Sequence, residues 1–129
     1  MIWLFSTSWF SGERTGPMFL PVLRALFPGA TYEQLYAAHA AIRKAGHFLE
    51  YLVLSVLLYR ALRQRPGWDM RAAGLAVLFA GLYAVGDEFH QWFVPGRTAA
   101  VNDCLLDVSG AAAGQGLTAA WRAGRAVPR

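Results

Sequence analysis

The chain has 129 residues, of which 56% are hydrophobic and only 16% charged, with a net charge of +4. A typical soluble domain is about 25% charged, and a small one needs polar residues to cover its large relative surface. The composition therefore excludes a disordered chain and argues against a soluble multidomain enzyme. It leaves a single membrane-embedded domain over residues 1–129, with the lipid bilayer as its first partner. The positive charge is mostly arginine set between apolar segments. No basic run with interleaved aromatics of the kind that binds single strands occurs, so no nucleic-acid partner is expected. Cys104 is the only cysteine, which excludes an intrachain disulfide and a cysteine-based zinc motif.

In chain order, MIWLFSTSWF comes first and SGERTG then breaks the pattern. A spanning helix takes roughly 20 apolar residues, so this start reads as the tail of a truncated first transmembrane helix. No basic region precedes it, as a signal peptide would require. Residues 17–30 carry Pro17, Pro21, Pro28 and Gly29 around a short apolar stretch. That pattern fits a re-entrant or interfacial segment. Thr31 with Gln34 forms a capping-box pattern and opens a long helix. Its first half is amphipathic, its second half is membrane-like, and Pro66-Gly67 ends it. The next span is expected from about Arg71 to Val94, stopped by Pro95-Gly96. A Gly- and Ala-rich last span follows from Cys104 to Trp121. The expected fold is all-α: a small polytopic bundle with three full spans plus the truncated N-terminal helix.

Arginines set the expected topology. Arg60, Arg63, Arg65 and Arg71 flank the first full-span loop, and Arg122, Arg125 and Arg129 lie in the tail. The positive-inside rule puts both on the cytoplasmic side. The loop containing Arg97 then faces outward.

The polar residues inside these spans carry the chemistry. His47, Glu50 and Tyr51 share one helix face at i, i+3 and i+4, with Lys44 one turn earlier. Asp87, His90 and Gln91 repeat the spacing, with Glu88 beside them. Asp103, Asp107, Gly110 and Gly114 form a third stripe. All of these, with Arg97, fall near one membrane surface. Intramembrane ionisable groups usually face a bundle interior or wet cavity, so the pattern predicts one outward-open polar pocket between three helices. Gly110 and Gly114 read as a helix-packing G-x-x-x-G step. Four carboxylates (Asp87, Glu88, Asp103 and Asp107) face few cations in this layer. Close together in low dielectric, they resist full ionisation unless a cation or a basic ligand group joins them.

Three chemistries can use such a layer. A divalent metal takes carboxylate oxygens and imidazole, but no dedicated spacing such as H-E-x-x-H is present. Acid–base work on a phosphate or sugar uses His with a carboxylate while Lys44 and Arg97 hold the anion. Proton-linked transport uses the carboxylates as exchange sites. A bland reading stands beside them, in which the same groups pair only to fix helix packing. No P-loop, Rossmann or nucleophile-elbow motif identifies a cofactor or a reaction.

The series Lys44-x-x-His47-Phe48-x-x-Tyr51, Asp87-Glu88-x-x-Gln91-x-x-x-Pro95-Gly96-Arg97 and Asp103-x-x-x-Asp107-x-x-Gly110 resembles the VanZ-like family of bacterial integral membrane proteins. The likeness covers about residues 40–117. The resemblance implies an envelope membrane protein, and the family's namesake is linked to low-level resistance to the glycopeptide teicoplanin. It implies that Lys44, His47, Tyr51, Asp87, Glu88, Gln91, Arg97, Asp103 and Asp107 are the site residues. In the scheme expected from it, Lys44 and Arg97 hold a cell-wall or lipid-linked anionic ligand. His47 with Asp87 or Glu88 moves protons, and Asp103 and Asp107 orient the basic groups or bind a cation. Two departures from the family pattern stand out. Arg43 precedes the motif lysine, where relatives are often acidic or polar, and the first helix is shortened.

Overall fold

The computed structural model describes residues 12–93 and 101–125. Four helices make up these residues: α1 (Gly12–Leu26), α2 (Tyr32–Leu62), α3 (Met70–Trp92) and α4 (Val101–Arg125). The expected truncated helix over the first ten residues lies outside the described residues.

Helix α1 differs from expectation. It begins at Gly12, inside the segment read as a break, and runs through Pro17 and Pro21. Proline's fixed φ is helical, and each proline removes only one helical hydrogen bond. Tertiary contact holds the helix in place: Leu23 is buried, and the Phe19 ring sits 5.9 Å from the His39 ring of α2. Phe19, Val22 and Leu26 stay exposed on its surface.

Helix α2 begins as the capping box predicts. The Gln34 backbone N–H donates to Thr31 Oγ1 at 3.3 Å, and the Thr31 N–H donates to Gln34 Oε1 at 2.9 Å. With 31 residues, α2 is about 46 Å long, more than the ~30 Å hydrocarbon core of a bilayer. Its buried residues are Leu35, His39, Tyr51, Ser55 and Tyr59. They fall on a single i+4 ladder whose middle rungs are Arg43 and His47.

At the far end of α2 the chain turns through Gly67, whose φ of 86° suits glycine's freedom at positive φ. The Tyr59 ring stacks on Trp68 at 5.2 Å, and its hydroxyl donates to the Gly67 carbonyl and accepts from the Asp69 N–H. Arg122 at the end of α4 donates to the same Gly67 carbonyl at 2.9 Å. Asp69 then caps α3 by accepting from the Arg71 and Ala72 N–H groups. The Ala72 N–H above all holds the Asp69 carboxyl below its ordinary pKa.

Helix α3 buries a stripe of small residues, Ala72, Ala73, Ala76, Ala80 and Ala84, and the next turn of that stripe is Asp87. Alanine adds no bulk between helices, so backbones approach closely, as in membrane bundles. The most extensive interface joins α2 and α4. A Cβ on Gly110 would collide with the Phe48 carbonyl, and one on Gly114 would stand 2.6 Å from the Leu52 carbonyl. The packing role expected of this G-x-x-x-G step is what the helices show. Below it, Ser55 Oγ donates to the Ala111 carbonyl at 2.7 Å, while Gln115 Nε2 donates to the Ser55 carbonyl and hydroxyl.

Among the described residues, α2 and α3 are long and apolar enough to cross a membrane. Only 17% and 33% of their apolar windows are buried by the rest of the chain. Large side chains such as Val53, Leu57, Leu78, Phe79 and Leu82 therefore point outward. A soluble core helix would bury such residues.

Candidate functional site

The three long helices run up, down and up, so the end of α2 nearest Tyr32 meets the end of α3 and the start of α4. There the i+4 ladder of α2 opens. Arg43 and His47 are only half-buried, whereas Leu35 and His39 before them and Tyr51 after them are buried. The opening is a depression of about 90 Å³ lined by Ala40, Arg43, Lys44, His47, Glu88, Asp103, Leu106 and Asp107. Five of the residues expected from sequence (Lys44, His47, Glu88, Asp103 and Asp107) thus meet in one place.

Two ion pairs cross it from α2 to α4. Lys44 Nζ stands 3.7 Å from Asp103 Oδ1 at the exposed rim. His47 Nδ1 stands 3.7 Å from Asp107 Oδ1 deeper in, where the Asp107 side chain is 4% exposed. Both distances exceed a direct hydrogen bond. Among the described residues, Asp107 Oδ1 has no hydrogen-bond partner. The charges of Asp87, Glu88, Asp103 and Glu50 all bear on its carboxyl.

Tyr51 and Asp87 are not lining residues. Both are buried, at 0% and 3% exposure, one on α2 a turn beyond His47 and one on α3 beside Glu88. The Tyr51 ring lies among Ala80, Ala84 and Ala111 and 6.4 Å from the Tyr83 ring. Among the described residues its hydroxyl has no hydrogen-bond partner, and the charges of Asp107 and Asp87 bear on it. The Gln91 side chain and Arg97 lie outside the described residues.

Two groups outside the expected site set also bear on the depression. Arg43 lines the depression; the i+4 ladder from Leu35 marks it as inward-facing. Glu50 acts electrostatically on Asp107; its position three residues after His47 put it on the same face.

The arrangement has defined chemical capacities. A compact ammonium (Lys44), a guanidinium (Arg43) and a protonable imidazole (His47) oppose several carboxylates across a few ångströms. Such a site can hold an anion, seat a cation or pass a proton between imidazole and carboxylate. Among the described residues, no three His, Cys, Asp or Glu converge closely enough to hold a metal ion.

No curated protein and no solved structure matches the chain. The family model described as VanZ/LLP1 matches residues 2–122, and the chain belongs to that family.

Proposed function

We propose that this VanZ/LLP1 chain is a multi-pass protein of the bacterial cell membrane whose polar depression opens to the extracytoplasmic leaflet. There it binds a cell-wall precursor or lipid-linked anionic ligand and alters susceptibility to teicoplanin. The observation that carries the reading is the convergence of Lys44, His47, Glu88, Asp103 and Asp107 in one open depression of an otherwise apolar bundle. Ionisable groups are costly in a membrane and mark functional cavities. Helix α4 adds the third span, with Asp103 and Asp107 turned inward rather than to lipid. Lys44 and Arg43, joined by Arg97, hold the anion. His47 exchanges a proton with Asp107, Glu88 or Asp87.

A second reading is favoured by one observation: both ion pairs join α2 to α4. In that reading the cluster only fixes helix packing. Teicoplanin susceptibility of cells carrying Asp87→Asn, Arg97→Lys or His47→Ala separates the two. The ligand-site reading expects altered susceptibility at unchanged membrane abundance. Unchanged susceptibility at normal abundance sinks it, and loss of the protein from the membrane favours packing.

A further inference from the structure

The floor of the depression is acidic although its rim is basic, and the floor has an unfilled requirement. Asp107 is 3% exposed, lines the depression, and carries an oxygen with no hydrogen-bond donor. Among the described residues the one basic atom recorded beside it, His47 Nδ1, is 3.7 Å away, beyond hydrogen-bond reach. A buried carboxylate oxygen left without a donor is destabilising, more so than a neutral group. Glu88 and Asp103 line the same space, and Tyr51 holds a second buried, unpartnered oxygen close to Asp107. What is missing is a small group with several N–H donors and a positive charge.

Resting on the ligand-site reading above, we infer that the depression recognises a phosphate-linked primary amine, its ammonium on Asp107 and its phosphate on Lys44 and Arg43. A primary ammonium offers three donors and no acceptor. It can therefore donate to Asp107 and to one further carboxylate of the lining, Glu88 or Asp103, which a chloride or a lone phosphate cannot. The rim supplies the complementary half. Lys44 is exposed and stands 3.7 Å from Asp103, a separation that leaves both groups free to turn toward a zwitterion. The chemistry is shared by an ethanolamine phospholipid headgroup and by a soluble phosphoamine.

The test uses the full chain in nanodiscs of phosphatidylglycerol, with binding read by calorimetry. The soluble probes are glycerophosphoethanolamine, glycerophosphocholine and glycerol 3-phosphate. Glycerophosphoethanolamine is expected to bind at least about tenfold tighter than either other probe, the loss expected when charge-assisted hydrogen bonds are removed. Asp107→Asn, and independently the rim variant Asp103→Asn should Asp107→Asn not fold, is expected to reduce the ethanolamine probe to the level of glycerol 3-phosphate. Lys44→Ala is expected to weaken all three probes. Nanodiscs containing phosphatidylethanolamine separate the sources: competition with the soluble probe marks a lipid ligand, and unchanged binding marks a soluble one. Equal binding of glycerol 3-phosphate, insensitive to Asp107 and Asp103, overturns the inference and leaves the anion-binding reading standing. Failure of every probe overturns both.

Discussion

A single methyl group decides whether α2 and α4 can meet. At Gly110 the added Cβ strikes the Phe48 backbone carbonyl, which has no flexible end to move away. Gly110→Ala is therefore expected to destabilise the bundle by about 1–3 kcal/mol or more, measured as a lowered thermal midpoint in detergent. Gly116→Ala meets nothing within 4 Å and is expected to leave the midpoint unchanged or raise it, since alanine favours helix over glycine. The G-x-x-x-G spacing made the role of Gly110 legible in the sequence, because small residues at that interval have one dominant use in membrane helices. Asp69 supports a second prediction at this scale. Its carboxylate accepts the first N–H groups of α3, and its pKa is held below the ordinary value chiefly by the Ala72 N–H. A lowered folded-state pKa stabilises the fold above the unfolded value and loses that contribution as pH falls through the folded one. Asp69→Asn keeps a capping side chain but removes the titration. Acid unfolding of the wild type is expected to begin at a slightly higher pH than that of Asp69→Asn.

Between elements, the polar contact of Ser55 with Gln115 ties α2 to α4 below the glycines. Interhelical hydrogen bonds in membranes average about 0.6 kcal/mol and reach about 1.7. Ser55→Ala is expected to cost an amount in that range, and a double-mutant cycle with Gln115→Leu should show coupling between the two sites. Additive effects would place the two groups in separate environments. Sequence periodicity found the boundaries of α2 and α3 within a few residues, because caps and breakers are local signals: Thr31 with Gln34 at one end, Pro66-Gly67 at the other. It missed where α1 starts, at Gly12 within the segment read as a break, because the helix carries Pro17 and Pro21 and packs through Leu23 and Phe19. The ladder through Arg43 went unread as well. The arginine was read only as a departure from the family pattern, although its i+4 spacing from Leu35 and His39 places it on the inward rung.

Across the whole molecule, two ends of the bundle are built for different tasks. One end gathers Tyr59, Trp68, Asp69 and Arg122 into a capped, hydrogen-bonded turn, with Arg63 and Arg65 in the connecting segment. The other end opens between Arg43, Lys44, His47, Glu88, Asp103 and Asp107. The concentration of acids at a single level was visible in the sequence, since α2, α3 and α4 alternate in direction and their polar turns fall at the matching ends. Which carboxylate is buried and which is at the rim was not visible, because depth depends on how closely the glycines let α2 and α4 approach. The claim on which the functional reading rests is that the open end faces the outside of the cell. In a Cys104→Ser background, cysteines introduced as Ala40→Cys at the depression and Gln64→Cys at the arginine end report it directly. The account predicts that an impermeant thiol reagent labels Ala40→Cys in intact cells and Gln64→Cys only after permeabilisation. Labelling of Gln64→Cys in intact cells, with Ala40→Cys protected until lysis, would contradict it.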